Sequence, residues 1–215
     1  NVYGNIESII NTSTGEINSA SDTIVNGSDR FITSLINQGD IDASADAAIL
    51  NNGTISTINN SGNIYATEGI GIENDGASAT ITNLTNSGNI SAGTAISNTT
   101  GSIETITNTG SISSLTSLAD IHNNGSINML INRQSNLTFT GNLPANYQIM
   151  IASTSNYGKI TFSDVTGTTI FGIHATSSVN ENTTYTSVIT GISDSELSTT
   201  TGTFIDEGVI AMTGH

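Results

Sequence analysis

The sequence contains no cysteine, no tryptophan, a single proline and only three basic residues, Arg30, Arg133 and Lys159. Together with 18 acidic residues these give a formal net charge of −15. Because phosphate neutralisation needs clustered lysine and arginine, this balance argues against a nucleic-acid partner, and the same charge is repelled by anionic membrane surfaces. The absence of cysteine suits a chain that crosses an oxidising compartment without becoming locked in disulfides.

Long apolar runs are also missing. No stretch of about 18 apolar residues occurs, so we expect no segment that spans a membrane. The sequence begins at Asn1, with neither an initiator methionine nor a signal peptide. We therefore expect a mature secreted product or a fragment excised from a longer chain.

The residues that are abundant favour β-structure. The chain has 27 asparagines, 29 serines, 34 threonines and 32 isoleucines, but only nine leucines and six valines. Isoleucine and threonine favour strands, whereas asparagine, glycine and serine favour turns, so long helices are not expected. The isoleucines recur at regular spacing, which argues against a disordered chain.

One short motif recurs along the first half: an apolar residue, Asn, one or two small polar residues, Gly, any residue and Ile. The glycines fall into two interleaved series with steps of 22 to 26 residues. One structural repeat, here called a coil, therefore has about 24 residues and two turns, and about five coils fill residues 5–130. This periodicity predicts a β-solenoid. Copies of the motif occupy residues 36–41, 50–55, 58–64, 85–90, 96–103, 106–112 and 121–127, with looser copies at 10–17 and 72–76.

Stacking of coils explains the isoleucines. Parallel coils lie about 4.8 Å apart, so equivalent side chains form columns along the axis. We expect the isoleucine after each Gly-x to point inward, because a stiff β-branched side chain stacks on its own kind with little loss of rotamer freedom. These residues are Ile17, Ile41, Ile64, Ile90 and Ile112 on one side and Ile55, Ile103 and Ile127 on the other.

Each turn combines a glycine with an asparagine two residues before it. We expect the glycine to supply positive φ at the corner. The asparagine either joins a ladder of side-chain amides along the axis or is simply solvated. The asparagines concerned are Asn37, Asn60, Asn86 and Asn108 in one series and Asn51, Asn74 and Asn123 in the other.

From about Leu137 the motif disappears, and seven of the ten Phe and Tyr residues lie in this second half. We divide the chain into a β-solenoid at residues 1–136 and a β-rich region at 137–215. The second region is either a cap that covers the terminal coil or an irregular continuation of the solenoid. Strands are predicted at residues 137–140, 147–152, 159–163, 169–174, 185–190 and 203–210.

The repeats, the composition, the absence of cysteine and the change near Leu137 resemble the passenger domains of autotransporters of Gram-negative bacteria. The segments 143–151 and 157–160 are similar to the stretch that follows the repeats in such proteins, and the resemblance covers about residues 9–200. It implies a right-handed parallel β-helix at the bacterial cell surface or outside the cell, with a role in adhesion and virulence. The family's passengers are tied to the outer membrane by a C-terminal barrel. We expect membrane contact only through such a barrel, which these 215 residues do not include.

Paired carboxylates are the main candidates for catalysis. Asp40 and Asp42 are expected on the same side of one strand, where Asp46 joins them, and Glu73 and Asp75 form a similar pair. Residues i and i+2 on a strand are about 7 Å apart, which suits the two acids of an inverting glycosidase. However, residues 32–130 offer only one aromatic residue, Tyr65, and one histidine, and the three scattered cations do not suit a lyase.

Other chemistry finds less support. No Gly-Asp-Ser-Gly segment of a serine protease, no Gly-Gly-x-Gly-x-Asp calcium repeat and no EF-hand loop occurs. The loop 73–76 offers oxygen ligands for adventitious calcium or is a solvated acidic turn, and His122, His174 and His215 are too dispersed for zinc. We assign no catalytic residue, no metal ligand and no cofactor.

Ice binding is a further alternative, because threonine columns match an ordered surface. The segments 80–82 and 105–107, both Thr-Ile-Thr, are expected to align one coil apart, but the preceding coil has Ser-Thr-Ile-Asn at 56–59. The sequence favours a non-enzymatic module for adhesion, self-association or display. Its expected partner is a glycan or protein of a host or cell surface, or a second copy. A glycoside hydrolase and an ice-binding solenoid are the alternatives.

Overall fold

A computed structural model describes residues 4–117, 119–199, 201–206 and 208–213, with side chains up to Ser198. Within these residues the chain forms strands and one 3-10 turn, at Asp194–Glu196. The strands are β1 (Ile6–Asn11), β2 (Glu16–Ser19), β3 (Ile24–Asn26), β4 (Phe31–Asn37), β5 (Asp40–Ala43), β6 (Ala47–Asn51), β7 (Thr54–Asn60), β8 (Asn63–Asn74), β9 (Thr80–Asn86), β10 (Asn89–Asn98), β11 (Ser102–Asn108), β12 (Ser111–Ser114), β13 (Ile121–Asn123), β14 (Ser126–Asn132), β15 (Leu137–Asn142), β16 (Asn146–Ile149), β17 (Ile160–Thr166), β18 (Thr169–Ile173), β19 (Ile189–Thr190), β20 (Leu197–Thr199), β21 (Thr201–Asp206) and β22 (Gly208–Thr213).

Two parallel sheets wind around one core, as the repeats predict. The front sheet has the order β1-β4-β7-β9-β11-β14-β16-β18-β20. The back sheet has the order β2-β5-β8-β10-β13-β15-β17-β19, with β3 and β6 beside β8 and with β12 beside β10. Each coil crosses both sheets once, and equivalent residues of successive coils are 22 to 26 positions apart. The protein is therefore a β-solenoid with about 24 residues per coil.

Strand predictions in the second half are confirmed at four places and wrong at two. Of residues 185–190 only Ile189–Thr190 forms a strand, since Ser187 has a φ of 54° that interrupts extended backbone. Residues 203–210 do not form one strand. They are divided between β21 and β22, which pair as an antiparallel hairpin.

The core is built from the predicted isoleucine columns. The register pairs Ile41 with Ile64, Ile64 with Ile90, and Ile90 with Ile112, and all four side chains are fully buried. Ile55, Ile103 and Ile127 are buried in the front sheet. Burial of each such side chain contributes roughly 1.5–3 kcal/mol. Ile17 is only partly buried, because β2 lies at the end of the back sheet.

The turn asparagines form two amide ladders, which excludes the solvated alternative. In each step the Nδ2 of one asparagine donates to the Oδ1 of the asparagine one coil later, at 2.7 to 2.9 Å for all steps but the last of the first ladder, which is 3.3 Å. The first ladder runs through Asn11, Asn37, Asn60, Asn86, Asn108 and Asn132, and the second through Asn26, Asn51, Asn74, Asn98 and Asn123. All eleven side chains are buried.

The expected reason for the turn glycines is wrong at most corners. Among the glycines of the two series only Gly76 has a positive φ, of 109°. At Gly62, Gly88 and Gly110 the backbone passes so close to the glycine carbonyl one coil earlier that a Cβ atom would collide with it. Close approach of stacked turns, rather than a left-handed conformation, requires glycine there.

Aromatic residues replace isoleucine in the core beyond Leu137. Phe139 and Phe162 continue the back-sheet column of Ile121, and their rings meet edge to face with centroids 5.5 Å apart. Tyr147 continues the front-sheet column of Leu130 and contacts Phe162 at 6.0 Å. Parallel pairing crosses the predicted boundary at residue 136 in both sheets, and the division into two domains stays a prediction.

Candidate functional site

The outer surface of the front sheet is a regular array of small polar side chains. We define the front face by the outward residues of β7, β9 and β11 and the matching positions of β4 and β14. In one column the register aligns Ser34, Thr57, Asn83, Thr105 and Met129; in a second it aligns Ile36, Asn59, Thr85, Thr107 and Ile131; in a third it aligns Phe31, Thr54, Thr80, Ser102 and Ser126. The columns become apolar only towards the first and last of these strands.

Neighbouring coils hold these side chains in place. The hydroxyls of Thr80 and Ser102 lie 3.2 Å apart, within hydrogen-bonding distance. Most threonines of the array are half-buried by their neighbours above and below, so little rotamer freedom remains. The array therefore offers donors and acceptors at the strand spacing of about 4.8 Å along the axis.

The front face carries almost no charge. In the strands β1, β4, β7, β9, β11 and β14 the only ionisable residues are Glu7 and Glu104. The amide of Asn128, one coil later, donates to Glu104 at 3.4 Å. A neutral or acidic partner therefore approaches this face without the repulsion that the net charge of −15 produces elsewhere.

The back sheet and its bends carry most of the acidic residues of the first three coils. Glu16 and Asp40 occupy neighbouring positions of one column, followed by Asn63, whose Nδ2 donates to Asp40 at 2.7 Å. We call this surface the back face; its acidic residues are Glu16, Asp22, Asp40, Asp42, Asp46, Glu68 and Glu73. The charge of the molecule is thus divided unequally between its two sheets.

The predicted carboxylate pairs lie on the back face. Asp40 and Asp42 alternate with buried residues of β5 and point to the same side, as expected. Asp46 is exposed in the bend that follows and accepts a hydrogen bond from the Ser21 hydroxyl at 2.7 Å. Its charge acts on Glu73, on the next coil.

Glu73 is the carboxylate whose environment is most unusual. Its burial raises its pKa above the ordinary value, and the nearby negative charges of Asp75, Asp22 and Asp46 raise it further. Asp75 is exposed and accepts a short hydrogen bond from the Thr99 hydroxyl. The sequence identified the pair of Glu73 and Asp75, but not the contribution of Asp22 and Asp46 from earlier coils.

One column of the back sheet combines carboxylate, hydroxyl and imidazole. The register places Glu73 beside Ser97, and Ser97 beside His122. Sequence reasoning missed this column because its members are 24 and 25 residues apart. The two ring nitrogens of His122 contact the Thr140 hydroxyl at 2.9 Å and the Asn124 amide at 3.0 Å. The imidazole is therefore held by its neighbours instead of pointing to Ser97 as a base.

The other predicted histidines do not join this column. Nδ1 of His174 contacts the Thr176 hydroxyl two residues away, at 2.8 Å. His215 lies outside the described residues. Across the described ranges, no three His, Asp or Glu side chains are grouped in a way that suits a metal ion. None of the described helices has the length and apolar character needed to cross a bilayer.

The threonine alignment expected for an ice-binding surface is wrong. The register pairs Thr105 with Asn83 and Thr107 with Thr85, so the segment 105–107 does not lie beside 80–82. The two segments differ in position within their strands, which the similar sequences hide. Threonines alternate with asparagine and serine along each column of the front face.

Comparisons with known proteins identify no relative. No family model, no curated protein and no solved structure matches this chain.

Proposed function

We propose that this protein is an adhesive module of the bacterial cell surface or of the extracellular medium, of the autotransporter-passenger kind, and that it acts without catalysis. The observation that carries the proposal is the neutral, regular front face. Its partner is a glycan or protein on a host or cell surface, or a second copy of the chain.

The chemistry of the front face suits many weak contacts. Hydroxyl and amide groups repeat from coil to coil, and each contributes a hydrogen bond of modest net free energy. Because the side chains are held by their neighbours, less conformational entropy is lost when a partner binds. Binding strength then grows with the number of copies that a surface displays.

A matched pair of variants tests the proposal. One variant carries Asn83→Glu and Thr105→Glu, on neighbouring strands of the front face. Its control carries Ser91→Glu and Ser113→Glu, which are likewise neighbours but lie on the back sheet. Each protein is coated on beads, and bead aggregation and binding to arrays of glycans and to cultured cells are measured.

We expect the front-face variant to lose at least about tenfold in binding and the control to bind as the parent does. Single substitutions Asp42→Asn and Glu73→Gln are expected to leave binding unchanged. Equal loss in the front-face variant and the control, or parent beads that bind nothing, would contradict the proposal. So would turnover of a polysaccharide that Glu73→Gln abolishes.

A further inference from the structure

The N-terminal end of the solenoid is an open edge in both sheets. β1 is the first strand of the front sheet and β2 the first of the back sheet, while β3 pairs only with β6. Among the described strands, none lies on the other side of these three. Their outer edges therefore present backbone N–H and C=O groups in the direction in which the coils stack.

Both asparagine ladders have a direction. The Nδ2 of Asn37 donates to Asn60 and also to the backbone carbonyl of Asn63, at 2.9 Å. The Nδ2 of Asn74 likewise donates to Asn98 and to the carbonyl of Ser102, at 3.2 Å. Because carbonyl oxygens of the next coil surround each amide nitrogen, the side chains are not free to flip, and every ladder donates towards the C-terminus.

The two ends of the ladders consequently differ. At the C-terminal end Asn132 donates to the carbonyl of Lys159 at 3.2 Å, and Asn123 donates to that of Asn142 at 2.6 Å. At the N-terminal end Asn11 and Asn26 donate forward, and no described asparagine lies behind them. Their Oδ1 atoms occupy the position that accepts an amide in every later coil.

The first coil also leaves its core partly open. Ile6, Ile9 and Ile17 are only partly buried, whereas their partners one coil later, Ile32, Leu35 and Ile41, are at most 1% exposed. A further coil that covered this end would bury the same columns that are continuous in the rest of the molecule. Removal of this apolar surface from water favours docking.

We propose that the N-terminal end is a docking surface for one further parallel coil of the same repeat, joined to the N-terminal side of the chain and carrying an asparagine at each corner. The two asparagine amides complete the ladders on Asn11 and Asn26. An uncharged polar residue opposite Glu16 repeats the contact of Asn63 with Asp40. This inference does not depend on the adhesive function.

A second copy of the chain does not fit this surface. Two N-terminal ends that faced each other would oppose Oδ1 atoms with Oδ1 atoms and Glu16 with Glu16. The amides at the C-terminal end of the ladders are already bonded to backbone carbonyls. We therefore expect the chain to remain monomeric through this end.

A duplicated coil provides the probe. A copy of residues 80–101, which contain no charged residue, is joined directly before Asn5, so that Asn5 takes the place of Ser102. In this register the copied Asn86 faces Asn11, the copied Asn98 faces Asn26, and the copied Asn89 faces Glu16. The matched control carries Asn→Asp at the copied Asn86 and Asn98, which keeps the shape but removes both amide donors.

Native-state hydrogen exchange, read peptide by peptide, separates the added coil from the parent chain. We expect amides of β1, β2 and β3 to exchange at least about tenfold more slowly in the extended protein than in the parent, with little slowing in the Asp control. Protection of β7 to β11 shows in each case that the parent folds. Three results would overturn the proposal: an added coil that exchanges like unfolded peptide, equal protection in the Asp control, or a parent that forms end-to-end dimers in light scattering.

Discussion

Asn86 lies in the middle of the first ladder and illustrates how a polar residue stabilises this core. It accepts from Asn60 and donates to Asn108 at 2.9 Å and to the carbonyl of Ser111 at 3.0 Å. The side chain is fully buried, so any group left without a partner there loses its hydration and gains nothing in return.

We predict that Asn86→Ala lowers the free energy of unfolding by about 2–4 kcal/mol, because buried amide and carbonyl groups of both neighbours lose a partner. Asn83→Ala, on the exposed side of the same strand, is expected to change it by less than about 0.5 kcal/mol. Urea denaturation of both variants checks this. Equal effects of the two substitutions would show that the ladder contributes no specific stability.

Tyr147 presents the opposite case, a buried polar group without a hydrogen-bond partner. Burial raises the pKa of its hydroxyl, which stays neutral. Tyr157, by contrast, donates to the carbonyl of Thr186 at 3.2 Å.

Tyr147→Phe is therefore predicted to raise the free energy of unfolding by up to about 1 kcal/mol, whereas Tyr157→Phe is predicted to lower it by about 1 kcal/mol. Thermal unfolding followed by circular dichroism compares the two. A loss of stability in Tyr147→Phe would mean that its hydroxyl is satisfied after all.

At the scale of elements, acidic residues of different coils meet on the back face. Glu73 of β8 is influenced by Asp75 in the following turn and by Asp22 and Asp46 in the bends of earlier coils. Because the folded protein binds the Glu73 proton more tightly than the unfolded chain does, ionised Glu73 lowers stability above its folded-state pKa. The effect vanishes at pH values below its unfolded-state pKa.

Glu73→Gln is expected to be more stable than the parent at pH 7 and equally stable near pH 3.5, where both side chains are neutral at about that acidity. Glu104→Gln on the front face removes the same charge and serves as the control, with a change of less than about 0.5 kcal/mol at either pH. Denaturation midpoints in both buffers decide. Destabilisation by Glu73→Gln at pH 7 would show that the carboxylate forms a favourable contact.

For the whole molecule, the repeat specified far more than any local propensity. The coil length, the inward isoleucines and the amide ladders could be predicted because each depends on a residue that recurs once per coil. The glycines were located correctly for the wrong reason, since close approach of neighbouring turns is a property of the stack and not of one turn.

Features that depend on the register between coils were harder to predict. Steps of 22 to 26 residues place Thr105 beside Asn83, which similar Thr-Ile-Thr segments obscure. The column of Glu73, Ser97 and His122 and the contrast between a neutral front face and an acidic back face emerge only when each coil is aligned with the next. No short motif encodes either feature.

Methyl NMR tests the stacked coils most directly. In protein labelled at the isoleucine δ1 methyls, parallel coils about 4.8 Å apart predict nuclear Overhauser effects from Ile41 to Ile64, from Ile64 to Ile90 and from Ile90 to Ile112. The same spectra should lack a cross-peak between Ile41 and Ile90, which are two coils apart. Absence of the three sequential contacts in the folded protein would contradict the solenoid and every conclusion drawn from it.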